Sequence, residues 1–239
     1  MPVIPGMEVP QVSIVMSCSI VLLVEGMDDI KFFDSLLRYM GVNPGADVDL
    51  REVGGKDKFR HEFPAFLNDP HFSQVKAYAI IRDADNSAPD ALKSVQGLLK
   101  KHDQPCPTGH ARFAHSSDDT LKVGVYIMPG GPKGMLEDLC LQSVKDHLIM
   151  PHVKNFMDQV QKTMGKKAPK NPSKATVQAF LSGMHNTVCG LGVAAQQRTW
   201  RFDNEAFSNL RNFLEQLVQE EEKSVPDVIG QENGTIEDR

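Results

Sequence analysis

The stretch from Ile20 to Asp29 reads IVLLVEGMDD and decides the fold of the chain. An apolar run is followed by one carboxylate, Glu25, and then by a glycine. The next segment has the apolar periodicity of a helix, which is predicted over 28–40. Glu25 is therefore expected where a buried strand ends and a helix begins. In a parallel α/β sheet, ligands bind in the crevice at the carboxyl ends of the strands.

A second apolar run, VKAYAIIRDAD over 75–85, ends in Asp83 and Asp85. Hard divalent cations such as Mg²⁺ prefer oxygen ligands and often use only a few carboxylates. Glu25, Asp83 and Asp85 are therefore candidate ligands of one ion. Aspartates at a strand-to-helix junction also commonly cap turns and helices. The spacing alone leaves both interpretations open.

Strands alternate with helices in the first part of the chain, and helices follow one another in the rest. The strands are predicted at 13–24, 48–53, 75–82 and 122–128. This alternation predicts an α/β fold with a parallel four-stranded sheet flanked by helices. The later helices are predicted at 135–149, 152–164, 173–185 and 204–219. The expected organisation is a loose leader at 1–11, an α/β domain at 12–150, a helical extension at 151–219 and an acidic, disordered tail at 220–239.

The composition is that of an ordinary globular protein, with 41% apolar and 24% charged residues. The formal net charge of −5 comes from the acidic C-terminal end, so it neither favours nor excludes a polyanionic partner. The four cysteines form no CxxC pair, and a reducing cytosol is the simplest setting. The apolar segment 12–24 lacks the flanks of a signal peptide and is too short to span a bilayer, so no membrane association is expected.

Two groups of residues are candidates for phosphate binding. Gly54-Gly55 follows the second strand, and Lys56 and Lys58 stand at the start of the next helix, close to the proposed site. A basic stretch between two helices contains Lys162, Lys166, Lys167, Lys170 and Lys174. This stretch could follow a phosphate backbone, with Lys166, Lys167 and Lys170 as the contacts. The alternative is a solvated loop, because no aromatic side chain is interleaved to stack a base.

Four further acids lie near the same predicted sheet edge. Glu137 and Asp138 begin the helix after the fourth strand and could complete a second metal position. The helix dipole alone also favours acids in a first turn. Asp28 and Asp29 face the same choice, and for them capping is the favoured interpretation.

These motifs together resemble the Toprim family. The matching residues are LLVEGMDDIKFF, then Gly54-Gly55, then IIRDADN, with PGGPKGMLED from Pro129 to Asp138. The similarity extends over about 20–140 and is closest to small, poorly characterised Toprim-like proteins with an EGxDD first motif and a GMLED segment. The resemblance implies a Toprim sheet, a glutamate at Glu25 that acts as general acid, general base or metal ligand, and aspartates at Asp83 and Asp85 that hold Mg²⁺.

Two residues depart from the family pattern. Met27 stands where many relatives have a lysine, so no cation is offered there to a phosphate. Topoisomerase relatives use a nucleophilic tyrosine in another domain, whereas Tyr39, Tyr78 and Tyr126 all fall within predicted helices or strands. Strand transfer through a tyrosine is therefore not expected.

The resulting hypothesis is a Mg²⁺-dependent phosphodiester hydrolase, with Mn²⁺ as a substitute ion, that acts on DNA or RNA. The alternative is a non-catalytic Toprim module that binds a nucleotide or nucleic acid, or docks on a separate ATPase. The chain carries no P-loop of its own. Gly190-x-Gly192-x-x-Ala195 has dinucleotide-fingerprint spacing but follows no credible strand, so it predicts no nucleotide site.

Overall fold

The computed structural model describes residues 17–186 and 188–219, without the side chains of Lys56 and Asp57. The predicted leader at 1–11, the first residues of the strand at 13–24 and the acidic tail at 220–239 lie outside the described residues. None of the helices in the described part of the chain has the length and apolar character needed to span a bilayer.

The centre of the fold is one five-stranded sheet. Its strands are β1 (Ile20–Val24), β2 (Asp49–Glu52), β3 (Ala77–Asp83), β4 (Arg112–His115) and β5 (Lys122–Met128). The strand order is β2-β1-β3-β5-β4. All neighbours are parallel except β4, which pairs antiparallel with β5. The sheet is therefore mixed, and the prediction of a purely parallel four-stranded sheet is wrong. The sequence predicts only a short extended piece at 110–115 within a long loop, and β4 lies in that piece. It has four residues, none of them fully buried, so it lacks the apolar signal that marks the other strands.

Eight α-helices surround the sheet in the described part of the chain. They are α1 (Met27–Tyr39), α2 (Lys56–Leu67), α3 (Ala88–Lys101), α4 (Leu136–Ser143), α5 (Met150–Met164), α6 (Pro172–Ser182), α7 (Leu191–Gln196) and α8 (Ser208–Val218). Short 3₁₀ turns lie at Phe72–Gln74, Gly165–Lys167 and Glu205–Phe207. The helix predicted at 135–149 ends at Ser143, and α7 was not predicted because Gly190 and Gly192 interrupt its apolar pattern.

Helix α1 forms where the sequence predicts it because its apolar positions share one face. Ile30, Phe33 and Leu37 follow the helical spacing and are fully buried. At its start, the Asp29 carboxylate accepts a hydrogen bond of 3.0 Å from the backbone N–H of Gly26. Beyond its end, Gly41 has a φ of 82°, a left-handed conformation that glycine adopts without strain.

Apolar side chains from both faces of the sheet build two cores. Along β1, Leu22 belongs to the face covered by α1 and the C-terminal helices, and Leu23 belongs to the face covered by α2 and α3. The first core also contains Trp200, whose indole nitrogen donates to the Leu191 carbonyl at 3.0 Å. Because both faces are covered, the parallel strands are buried and their carboxyl ends are held rigidly at one edge.

Helix α7 approaches α1 closely enough that only glycine fits at one position. A Cβ on Gly192 would lie 2.7 Å from the Asp28 carbonyl oxygen and 2.7 Å from the Lys31 Cβ. We therefore expect Gly192→Ala to lower the free energy of unfolding by about 1–3 kcal/mol through overpacking. Thermal melting of the two proteins measures this.

A second helical glycine is the matched control. Gly97 lies inside α3, and a Cβ added there would meet nothing within 4 Å. Gly97→Ala is therefore expected to leave stability unchanged or to raise it by up to about 1 kcal/mol. Equal melting temperatures for the two variants would contradict the close packing of α7 on α1.

Candidate active site

Glu25 follows the last residue of β1 and is anchored by the neighbouring strand. Its Oε1 accepts a hydrogen bond from Arg82 Nε at 3.0 Å and another from the Asp83 backbone N–H at 3.2 Å. Arg82 is 3% exposed, whereas the Glu25 side chain is 21% exposed. The Arg82 guanidinium also lies 5.7 Å from the centre of the Phe59 ring. Glu25 is thus fixed in place by a buried ion pair while it keeps access to solvent.

Asp83 ties the end of β3 to the start of α4. Its Oδ1 accepts a hydrogen bond of 3.0 Å from the backbone N–H of Leu136, the first residue of α4. Burial raises the pKa of Asp83 well above its ordinary value, and the nearby carboxylates of Glu25, Asp29 and Glu137 raise it further. Asp83 therefore lies in a concentration of negative charge at the carboxyl edge of the sheet.

We call Glu25, Asp29, Asp83 and Glu137 the acid cluster. Burial raises the pKa of Asp29 to about 7, and the charges of Glu25 and Glu137 act in the same direction. Burial likewise raises the pKa of Glu137, which is opposed by Lys174, whose Nζ lies 3.7 Å from Glu137 Oε1. Lys174 is 62% exposed, so it offsets only part of the negative charge.

For Asp29 the sequence favours capping over metal binding, because a capping role explains its position by itself. The capping interpretation is correct, since Asp29 Oδ2 accepts from the Gly26 backbone. A carboxylate that reaches back to this N–H also turns toward the end of β1, where Glu25 stands. The spacing of four residues between Glu25 and Asp29, across a strand-to-helix turn, is the signal that could have found it.

Asp85 and Asp138 lie beside the acid cluster but have other contacts. Asp138 accepts hydrogen bonds from the Met135 backbone N–H at 2.9 Å and from the Ser173 hydroxyl, so it caps α4 and joins it to α6. Asp85 is exposed and has a φ of 51°. Its backbone exchanges two hydrogen bonds of 2.8 Å with Gly134. Neither residue is among the charges that raise the pKa of Asp29 or Asp83.

The side chains of the acid cluster are chemically suited to a divalent cation, but they are too far apart in this structure to hold one. Within the described residues, no three His, Cys, Asp or Glu side chains are arranged closely enough to hold a metal ion. The donors are nonetheless all carboxylate oxygens, the ligands that Mg²⁺ and Mn²⁺ prefer. Burial and, after it, the neighbouring carboxylates raise the pKa values of Asp29, Asp83 and Glu137, and Lys174 offsets only part of this at Glu137. These carboxylate oxygens are therefore suitable ligands for such an ion once the side chains move closer together.

A cleft of about 620 Å³ opens next to the acid cluster. It lies between the end of β3, the loop after β5 and the start of α6, and its walls include Arg82, Asp83, Asp85, Lys133, Asp138 and Lys170. Lys133 and Lys170 are exposed on its rim. The cleft thus contains two ammonium groups and several carboxylates, a combination that can bind an anion beside a cation.

The other residues predicted to bind phosphate lie outside this cleft. Lys166 and Lys167 form the exposed 3₁₀ turn that precedes Lys170. Gly54 and Gly55 follow β2, on the far side of β1 from β3. Gly54 has a φ of 69°, and a Cβ added there would lie 2.6 Å from the Cβ of Lys58. Lys58 is exposed. The side chain of Lys56 lies outside the described part of the structure.

Two of the three tyrosines lie inside the sheet. Tyr78 and Tyr126 are buried. Burial raises the pKa of Tyr126 to about 12 and that of Tyr78 further. These phenols are poorly placed to act as nucleophiles.

Sequence comparison assigns the chain to a family. The model of a family described as "Protein of unknown function (DUF3226)" matches residues 19–219. The chain belongs to this family. The family description gives no activity, and a search among curated proteins finds no match to the chain.

Distant similarity to solved structures accompanies the family match. The C-terminal region of the Burkholderia pseudomallei OLD protein is 12% identical, with 85% of this chain and 98% of that chain covered and a TM-score of 0.44. The C-terminal region of the Xanthomonas campestris pv. campestris OLD protein is also 12% identical, with 85% and 96% covered and a TM-score of 0.40. Likeness at this level carries no argument about activity.

Proposed function

We propose that this protein is a divalent-cation-dependent phosphodiesterase that hydrolyses nucleic acid. The observation that carries the proposal is the acid cluster, which gathers carboxylates from the ends of β1 and β3 and the starts of α1 and α4 beside a cleft with basic side chains. The resemblance of the same motifs to the Toprim family supports it. Four free cysteines within the described residues suit the reducing cytosol that we propose as the setting.

The acid cluster would hold Mg²⁺ or Mn²⁺ through Glu25, Asp29, Asp83 and Glu137, with Asp85 and Asp138 at its border. When bound, the cation would supply positive charge that stabilises the phosphate oxygens in the transition state. The protein itself orients Glu25 through Arg82 and Asp83, so that this carboxylate can hold or accept a proton next to the cleft. Lys133 and Lys170 would bind the phosphates that flank the reacting one.

The basic side chains define the path that we propose for the nucleic acid. It passes over Lys133 and Lys170 at the cleft and continues along Lys166 and Lys167. Replacing Lys133 and Lys170 by Ala is expected to reduce the slope of log affinity against log salt by about two counterions. Lys166→Ala with Lys167→Ala is expected to do the same. Binding titrations at several salt concentrations measure both slopes.

The control for this prediction is a lysine pair at the opposite end of a helix. Lys100 and Lys101 end α3, whose first residues line the cleft, and the helix is about 20 Å long. Their double replacement by Ala should leave the slope unchanged. If the Lys133 and Lys170 variant has the same slope as this control, nucleic acid does not bind in the cleft.

A second function is favoured by one specific observation. Glu25 already has a buried partner in Arg82, and no three side chains of the described residues are spaced to hold a metal ion. This arrangement also suits a non-catalytic module that binds a nucleotide or nucleic acid, or docks on a separate ATPase. Such a module would keep the ion pair for structural reasons and would hydrolyse nothing.

A cleavage assay distinguishes the two functions. The purified full chain is incubated with single-stranded and double-stranded DNA and RNA in Mg²⁺ or Mn²⁺, with a chelator as the control. The nuclease proposal predicts cleavage of at least one substrate that stops in chelator. A protein that binds the substrates but cuts none of them with either ion would transfer the assignment to the binding module.

A further inference from the structure

A second cleft lies far from the acid cluster, at the other end of α1. Its volume is about 690 Å³, and its walls include Asp34, Arg38, Tyr39, Arg198, Arg201 and Phe202. Asp29 and Arg38 are nine residues apart on α1, so this cleft lies about 13 Å from the acid cluster along the helix axis. Its volume is within the range of small-molecule sites, roughly 300–1,000 Å³.

Asp34 is the feature that points to a ligand. Its side chain is only 7% exposed, and its Oδ2 accepts a hydrogen bond of 3.0 Å from Arg38 Nε. Its Oδ1 is buried and has no hydrogen-bond partner among the described residues. Buried carboxylate oxygens in proteins are normally paired, because an unpaired one loses its hydration without replacement. Asp34 lines the cleft, and the terminal torsion of an aspartate is soft, so its carboxylate can turn to pair with an N–H group bound there.

The segment after α7 contributes guanidinium groups to the same cleft. Arg198 is exposed and has a φ of 57°, a left-handed conformation that is uncommon for a residue other than glycine. Arg201 is 65% exposed and pairs with Asp203 at 2.9 Å. Guanidinium groups bind phosphate through two parallel hydrogen bonds, which makes this wall suitable for a phosphate group.

An aromatic side chain completes the cleft. Tyr39 is 54% exposed, and its ring centre lies 5.8 Å from that of the buried Phe202. Packing on Phe202 supports one part of the Tyr39 ring and leaves the rest open. An exposed aromatic ring next to arginines is a recurrent platform for a stacked nucleobase.

We propose that this cleft binds a free purine nucleotide, with the base on Tyr39, a base N–H group on Asp34 and the phosphate on Arg198 and Arg201. The three parts of such a ligand match the three features of the cleft. The purine face supplies a larger stacking area than a pyrimidine, its N–H donors meet the unpaired carboxylate oxygen, and its phosphate meets the guanidinium groups. The site is separate from the acid cluster and does not depend on the activity proposed for it.

Calorimetric titration of the full chain with AMP and with GMP tests the proposal. Saturable binding of one equivalent of at least one of them is expected. Arg198→Ala and Tyr39→Ala should each weaken it by about tenfold or more, the effect of losing one charged hydrogen bond or one stacking contact. Both residues are exposed, so these variants should fold. Arg60→Ala, at an exposed arginine of α2, is the matched control and should bind as the wild type does.

Four results would overturn the proposal. The first is no saturation with either nucleotide up to about 10 mM, which corresponds to a binding free energy weaker than about −3 kcal/mol. The second is unchanged affinity in Arg198→Ala and Tyr39→Ala. The third is equal affinity for ribose 5-phosphate, which would show that the base is not recognised. Binding of a purine oligonucleotide without binding of AMP or GMP would likewise exclude a free nucleotide.

Discussion

Glu25→Gln is expected to lower metal-dependent cleavage by about 10²- to 10⁴-fold, the usual effect of losing a general acid or base. Nucleic-acid binding should persist, because the lysines at the cleft are untouched. The glutamine oxygen can still accept the hydrogen bonds that Arg82 and the Asp83 backbone now donate to Glu25. Initial rates and binding constants for the variant and the wild type measure the two effects separately.

The same substitution has a structural cost that the sequence did not predict. Arg82 is 3% exposed, so the buried guanidinium would lose its charged partner. Removing a partner from a buried pair costs about 3–5 kcal/mol, and the retained hydrogen bonds should make the loss smaller here. Rates must therefore be measured well below the melting temperature of the variant. Glu52→Gln, at the exposed end of β2, is the matched control and should cleave normally. Wild-type cleavage by Glu25→Gln would exclude Glu25 as a catalytic residue.

Asp29→Asn is expected to stabilise the protein at pH 8 in the absence of divalent cations. The pKa of Asp29 is raised to about 7 from 3.8, so the folded protein binds this proton more tightly than the unfolded chain does. The resulting stability is present below about pH 4 and is lost as the pH rises toward 7, by up to about 4 kcal/mol. Asn can still accept from Gly26, but it carries no charge, so the variant should keep its stability across this window.

Unfolding in denaturant at pH 4, 6 and 8, with a chelator present, measures this difference. The variant and the wild type should differ little at pH 4, and the variant should be more stable by about 2 kcal/mol or more at pH 8. Asp158→Asn, at an exposed position of α5, is the control and should follow the wild type. If the stability of all three proteins depends on pH in the same way, the pKa of Asp29 is not raised in the folded protein.

Much of the sheet could be predicted from the sequence because apolar runs mark buried strands. Strand β5 lies at 122–128, as the run KVGVYIM predicts, and α1 differs from its predicted range by one residue at each end. Strand β4 is predicted only as a short extended piece at 110–115 and not as a strand of the sheet. Its residues lie at the exposed edge, where pairing with β5 and not burial selects the conformation. Helix α7 was missed because Gly192 has a low helix propensity and is required by the close contact with α1.

The candidate site could be predicted only where it follows from strand ends or from the helix starts next to them, where Glu137 stands. Glu25 and Asp83 were identified because parallel strands end at one edge of the sheet. The pairing of Glu25 with Arg82 joins residues 57 positions apart. Nothing in the local sequence indicates that Arg82, a charged residue next to Asp83, is buried. The second cleft joins Asp34 to Arg198 through the packing of α7 against α1, which no periodicity in the sequence reports.

Calorimetric titration of Mn²⁺ into the full chain at pH 6 and at pH 8 tests the central claim most directly. Saturable binding is expected, with more protons released at pH 6 than at pH 8, because the cation must displace protons from Asp29 and Asp83. Asp83→Asn should weaken binding by at least about tenfold, since an amide offers a neutral oxygen in place of a charged one. Asp158→Asn should bind as the wild type does. Absence of Mn²⁺ binding to the wild type, or equal affinity in Asp83→Asn, would contradict a divalent-cation site at the acid cluster.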